Sequence, residues 1–171
     1  MPECYYPSPA GVLSLSSEGG FLTAVRFVDE SRKIIFPEKP TDDSVLLRAV
    51  EWLDRYFGGL RPQPDELPLN PRGSEFQKTV WAYLCKIPYG KTVSYGSLAS
   101  TVAGNDQRRL ARAVGRAAHR NPIAVIIPCH RVIGSDGSLT GYAGGVERKA
   151  LLLRLEGVDI PSVTMLFFEN T

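Results

Sequence analysis

Apolar and polar residues alternate along Val12–Ser16, break at Glu18-Gly19-Gly20, and alternate again over Phe21–Val28. A period of two on both sides of a glycine pair predicts two strands joined by a tight turn. From Asp42 and Asp43 the period lengthens, with Val45, Leu46, Ala49, Leu53, Tyr56 and Phe57 at helical spacing until Gly58-Gly59. That spacing predicts one amphipathic helix. Leu60 to Arg72 then holds Pro62, Pro64, Pro68 and Pro71. Prolines lack the amide donor that a helix interior or central strand requires, so this stretch reads as a linker. The pattern divides the chain into an α+β unit with its Pro-rich linker, residues 1–71, and a second unit, residues 72–171.

The second unit is mostly helical. Ser74 and Gln77 form a capping box ahead of Phe76, Val80, Leu84 and Ile87, the buried face of a first helix. Pro88-Tyr89-Gly90 ends it. A shorter helix follows, capped by Ser94, packing Leu98, Ala99 and Val102, and stopping at Gly104. Asn105 or Asp106 opens another that runs to about Arg120. Two short helices across a tight glycine-containing turn predict a helix-turn-helix. Asn121-Pro122 leads into Ile123–Ile127, an apolar run without alternation, which predicts a short strand buried on both faces. A last helix spans Val146–Glu156, with Gly157 as its stop.

Charge adds a direction. Residues 1–71 carry 7 basic and 11 acidic groups, whereas residues 72–171 carry 13 basic and 7 acidic groups. A polyanionic partner would meet the second unit. There, Arg108, Arg112, Arg116 and Arg120 recur every fourth residue, with Arg109 beside them. A solvated surface helix also carries such charges. The turn before it and the scarcity of compensating acids favour nucleic-acid phosphates. No apolar stretch approaches the roughly 20 residues of a membrane-spanning helix. The start, MPECYYPSPAG, lacks the marks of a signal peptide. We expect a cytoplasmic protein, or a nuclear one in a eukaryote, that does not engage membranes. Three cysteines without short spacing imply free thiols and neither a disulfide framework nor a zinc site.

One cysteine stands where chemistry is plausible. The apolar run feeds into Pro128-Cys129-His130-Arg131-Val132, where a rigid backbone would hold a thiol at the floor of a cleft. In an extended segment His130 and Cys129 point to opposite faces, so a water or a sharp local turn must connect them. A base needs an orienting partner, and Glu156 is the candidate. It sits at the unfavourable end of a helix dipole, either solvated or held by a cation. The loop Gly134–Gly145 is glycine-rich, and its Tyr142 offers a flat face to a base. Three readings stay open: a nucleophilic alkyl acceptor, a helix-turn-helix regulator with an inert cysteine, and a Cys-His-Glu thiol hydrolase.

PCHRV, preceded by ARAVG and NP and followed by DGSLTGYAGG and ERKALLLRLEG, resembles the O6-alkylguanine-DNA alkyltransferases, the methylated-DNA–protein-cysteine methyltransferases. The likeness runs over residues 74–157 and is looser before them. It implies stoichiometric transfer of an alkyl group from O6 of guanine, and by extension O4 of thymine, in double-stranded DNA to Cys129. Each molecule would turn over once, as a monomer without cofactor or metal. It implies His130 as base through a water, Glu156 holding His130, and Tyr95 hydrogen-bonding the purine. Arg112 would fill the gap left by a flipped nucleotide as the helix-turn-helix binds the minor groove. Asn121 would tie the recognition helix to the active-site segment. The carbonyls of Cys129 and Val132 would accept from the guanine amine, the amide of Ala143 would face O6, Tyr142 would line the pocket, and Ser135 would lie near phosphate. The N-terminal unit would be a small antiparallel sheet with a helix, ribonuclease H-like. Two departures stand out: the Gly104–Leu110 turn is longer than in many relatives, and Ala124 replaces a proline found in some. The second departure implies a pocket for larger alkyl groups.

Overall fold

Gly19 and Gly20 turn the chain with φ of 58° and 83°. Consecutive positive φ angles suit residues without a Cβ, and the resulting two-residue hairpin matches the twist of its strands. Glu18 consequently pairs with Phe21, joining β2 (Gly11–Glu18) to β3 (Phe21–Phe27). A further strand, β1 (Glu3–Ser8), pairs antiparallel with β2 from Glu3↔Ser16 to Ser8↔Gly11. The sheet order is β1-β2-β3. The structure, a computed structural model, describes residues 1–35 and 41–160, so the end of the expected 72–171 unit lies outside the described residues.

Helix α1 (Ser44–Phe57) starts where expected, with Asp43 Oδ1 accepting from Leu46 N at 2.9 Å. Its buried face of Val45, Leu46, Ala49, Trp52, Leu53 and Tyr56 packs on the sheet. Each large apolar side chain so buried contributes roughly 1.5–3 kcal/mol relative to exposure. The Pro-rich stretch is not a free linker. Leu22 N donates to Pro68 O at 2.8 Å and Asn70 N to Leu22 O at 2.9 Å, while Trp52 Nε1 donates to Gln63 O at 2.8 Å. Prolines bar a helix interior and a central strand, but Pro64 opens a short 3-10 turn over Pro64–Glu66, and proline carbonyls can still accept at a sheet edge.

The chain forms two units, Met1–Arg72 with Pro122–Ile126, and Gly73–Asn121 with the chain from Ile127 on. In the second, Ser74 and Gln77 make the reciprocal capping box of α2 (Glu75–Leu84), whose Val80, Trp81 and Leu84 are buried. Trp81 Nε1 donates to Ala117 O at 2.8 Å, fixing α2 on α4 (Gln107–His119). Strand β4 (Val93–Ser94) runs into α3 (Tyr95–Ala103). A 3-10 turn over Gly104–Asp106 connects α3 to α4. Asp106 is the N-cap residue of α4 without a side-chain cap bond; its carboxylate lies 3.6 Å from Arg109 Nη2 instead. Strand β5 (Val132–Ile133) pairs parallel to β4, Val93 with Val132 and Ser94 with Ile133. This two-residue ladder sets the start of α3 beside the segment that follows Cys129. Helix α5 (Val146–Leu155) ends at Glu156 as its cap residue. No helix among the described residues is long and apolar enough to cross a membrane.

The strand expected over Ile123–Ile127, leading to Cys129, does not form. Ile123 makes a single bridge to Val25. The chain then tightens around Val125, at φ 70°, with Ile126 N bonded to Ala124 O at 2.8 Å. A second tight turn centres on Pro128, where Cys129 N donates to Ile127 O at 2.9 Å. Ile123, Val125, Ile126 and Ile127 are all buried, so the apolar pattern signals burial correctly. Burial alone does not impose a ladder.

Candidate active site

Cys129, His130 and Arg131 form one turn of 3-10 helix. Their side chains therefore do not alternate as they would in an extended chain, which corrects the expectation of opposite faces. The proline-centred turn before Cys129 and the β4–β5 ladder after Arg131 hold this turn at both ends. His130 and Glu156 are both buried, with His130 Nε2 2.7 Å from Glu156 Oε1. Arg131 completes the group. Its Nε donates to Glu156 Oε2 at 2.9 Å, its Nη2 to Oε1 at 2.9 Å, and its Nη1 to Ile87 O at 2.7 Å. Gly90 N also donates to Oε2, at 3.0 Å. Gly90 has φ 76°, and a Cβ there would lie 2.9 Å from Glu156 O, so a side chain would push this amide off the carboxylate.

Of the two readings for Glu156, the structure selects the one with a cationic partner. Burial alone would raise its carboxyl, but the bonds from His130 and Arg131 prevail and hold it at about 2. An ionised carboxylate only accepts, so Nε2 of His130 carries a proton and donates it. Burial pushes the imidazole below its ordinary value against the opposing pull of Glu156. At neutral pH the ring is then neutral, the form a base needs.

Cys129 is 7% exposed, more enclosed than a thiol at an open cleft floor. Burial raises its pKa, and an Asn121 hydrogen bond and the Lys149 charge work against that rise. Asn121 Nδ2 donates to Cys129 Sγ at 3.2 Å and to Ile127 O at 2.7 Å. Asn121, two residues beyond the end of α4, is thereby bonded to the active-site segment.

Lys149 lies inside the expected Val146–Glu156 helix, and nothing in its local sequence singles it out. Its amine is fully buried and donates to Val132 O and, at 3.2 Å, to Thr140 O. The Val132 carbonyl, expected to serve the guanine amine, is thus bonded to Lys149. Burial lowers the lysine to about 8, and Cys129 partly restores it. Tyr95 Oη donates to Thr140 O at 3.1 Å, and burial with the nearby Cys129 raises its phenol to about 12. Gly141, at φ 81°, permits this approach, since a Cβ would lie 2.7 Å from Tyr95 Oη. His119 Nδ1 lies 2.8 Å from Gly141 O.

The structure therefore brings Cys129, His130, Glu156, Asn121, Tyr95 and Tyr142 into one neighbourhood and adds Arg131 and Lys149. Tyr142 is buried and meets the His130 ring edge-on at 6.4 Å. Arg112 is exposed on α4, on the face opposite buried Val114, Ala117 and Ala118. Ser135 and Ala143 are exposed on the loop after β5, where Gly134 N bonds Ser138 O at 2.8 Å.

Residues 75–158 match the DNA-binding domain of 6-O-methylguanine DNA methyltransferases, and residues 1–71 match their ribonuclease-like domain. A methylated-DNA–protein-cysteine methyltransferase of Methanosarcina acetivorans is 44% identical over 89% of this chain and 96% of its own length. The solved O6-methylguanine methyltransferase of Mycobacterium tuberculosis superimposes with a TM-score of 0.75 at 41% identity, covering 96% of this chain and 98% of that one. The Mycobacterium tuberculosis protein in complex with DNA gives the same score at 42% identity, covering 91% and 92%. With both halves matched in order and relatives of this identity aligned nearly end to end, the chain belongs to the 6-O-methylguanine DNA methyltransferase family.

Proposed function

We propose that this protein repairs DNA by moving an alkyl group from O6 of guanine to Sγ of Cys129, once per molecule. The observation that carries this reading is the buried chain from Glu156 through His130 toward Cys129, with the carboxylate ionised. The resting thiol is raised by burial, so it needs a base at the moment of reaction. His130 takes the thiol proton through a water, and Glu156 stabilises the resulting imidazolium. The sulfur attacks the alkyl carbon, the carbon–O6 bond breaks, and its electrons pass to the guanine. Tyr95 remains a protonated donor at neutral pH and hydrogen-bonds the purine as that charge develops. The thioether has no route back to a thiol, so stoichiometry is one to one.

A base inside a duplex is out of reach, and extruding it costs a few kcal/mol. The arginine face of α4 meets phosphates in the minor groove, and Arg112 fills the place of the flipped nucleotide. Val132 O and Cys129 O accept from the guanine amine once Lys149 yields the former. The Ala143 amide faces O6, Tyr142 lines the pocket, Ser135 meets phosphate, and Asn121 couples α4 to Cys129. Residues 72–171 carry DNA binding and alkyl acceptance. A reducing cytoplasm, or a nucleus, suits the free thiols of Cys4, Cys85 and Cys129.

Mixing the protein with a duplex holding one O6-methylguanine should add the mass of one methyl group to the Cys129 peptide and then stop. DNA binding with no mass gain would favour a regulator, and continued turnover on excess ester or amide would favour a hydrolase. A pH profile tests the place of Lys149. Its ammonium supports the thiolate and is lost as pH rises through about 8, so the alkylation rate should fall above that pH. Lys149→Met should react more slowly at pH 7 and lack the alkaline fall. A wild-type rate still climbing to pH 10 would remove Lys149 from the reaction.

A further inference from the structure

Tyr142 is 7% exposed, yet its hydroxyl oxygen is buried without a hydrogen-bond partner among the described residues. Folded proteins rarely leave a buried hydroxyl unsatisfied, because its desolvation is uncompensated. If Tyr142 were only a wall of the pocket, phenylalanine would fill the same space without that cost. The hydroxyl is also not remote from the chemistry. Its ring packs edge-on against His130, at 6.4 Å and 77°. The Cys129 charge is among the groups that act on it, and burial holds the phenol well above its ordinary value. It is therefore protonated, and a donor, at neutral pH.

We propose that the Tyr142 hydroxyl is a positioning group for the thiol proton, donating to the water that relays it from Cys129 Sγ to His130. This inference rests on the alkyl-transfer reading above. The thiol proton passes to the water oxygen, and a proton of that water passes to the Nδ1 of His130, whose Nε2 is bonded to Glu156. In the ionised state the water accepts from Tyr142 and from the imidazolium and donates to the thiolate. Its lone pairs and the new charge are all satisfied. Without the hydroxyl the water keeps one donor fewer, so the thiolate–imidazolium pair forms less readily. The other titratable groups facing this pair are Tyr95 from α3, Arg131 from the nucleophile turn, Arg148 and Lys149 from α5, and Glu156 at its end. All of these remain in place when only the hydroxyl is removed.

Tyr142→Phe isolates the hydroxyl. Two rates are read at the Cys129 peptide by mass over a pH series: alkylation by iodoacetamide, and methyl transfer from an O6-methylguanine duplex. We expect Tm to be unchanged or higher, since an unsatisfied polar atom has gone. We expect both rates to fall about tenfold at pH 7, with the acidic-limb inflection about one unit more alkaline. Equal rates and inflections in the two proteins would overturn the proposal. So would a uniform slowing with no shift of the inflection, which would mean packing rather than proton transfer. If wild-type protein takes no methyl group from DNA, the repair reading fails. The iodoacetamide profiles would still report whether the hydroxyl governs thiol ionisation.

Discussion

Glu156→Ala is expected to destabilise the protein by about 3–5 kcal/mol, because it leaves the buried Arg131 guanidinium without its counter-charge. For a chain of this length the melting point should fall by roughly 6–20 °C. Arg131→Met in the same background should recover much of the loss, since an apolar pair replaces an unpaired ion. Acid titration gives an independent reading with a defined sign. The folded carboxyl is held at about 2, below its ordinary 4.5, so its stabilisation is complete above pH 4.5. That stabilisation drains away as pH falls toward 2. Wild type should lose stability over this window, and the alanine variant should lose less. Glu156→Gln addresses the chemistry more directly. It removes the charge that fixes the His130 tautomer and stabilises the imidazolium, so alkylation at pH 7 should slow about a hundredfold. An unchanged pH–rate profile would take Glu156 out of the relay.

Arg112→Ala should separate two substrates that end in the same thioether. Repair within a duplex includes the cost of extruding the base, whereas free O6-benzylguanine enters already unstacked. Arg112 is exposed on α4, so the nucleophile itself should be untouched. We expect duplex repair to fall on the order of 10- to 100-fold, with alkylation by the free base within twofold of wild type. Equal losses on both substrates would refute the finger role. Arg120→Ala, at the C-cap of the same helix, is the control for simple loss of phosphate attraction. Its effect should shrink as salt is raised, while that of Arg112 persists.

Features set by local chemistry were legible in the sequence. The Ser74–Gln77 box, the Ser94 cap, the Gly19-Gly20 turn and the Asp43 cap each depend on neighbours a few residues apart, and each formed. Cys129 drew attention as a thiol at the end of an apolar run, and Glu156 as a carboxylate at the wrong end of a helix dipole; the roles given to them and to His130 came from the resemblance that PCHRV carries. Features that depend on distant partners were not legible. Ile123–Ile127 has strand composition, but its single bridge to Val25 and the positive φ of Val125 are imposed by what surrounds it. Arg131 and Lys149 look like ordinary solvated cations. Only the fold turns them inward, one to a carboxylate 25 residues away in sequence and the other to the Val132 and Thr140 carbonyls. β1 went unpredicted because its side chains show no steady alternation; its burial runs exposed, buried, then partly exposed.

Pro122–Ile126 belongs with the first 72 residues although the chain on either side of it does not. Val25 donates to Pro122 O, and Ala124 donates back to Val25 O, both at 2.9 Å. During translation, the N-terminal part therefore leaves the ribosome with one seam of β3 unfilled. It must wait some fifty residues for the strip that closes it. At ordinary synthesis rates of roughly 5–20 residues per second that interval lasts seconds, long enough for a chaperone to matter. It also follows that trimming the gene at residue 72 yields two fragments that each lack something: one has an open edge, and the other carries Ile123, Val125 and Ile126 with nowhere to hide them.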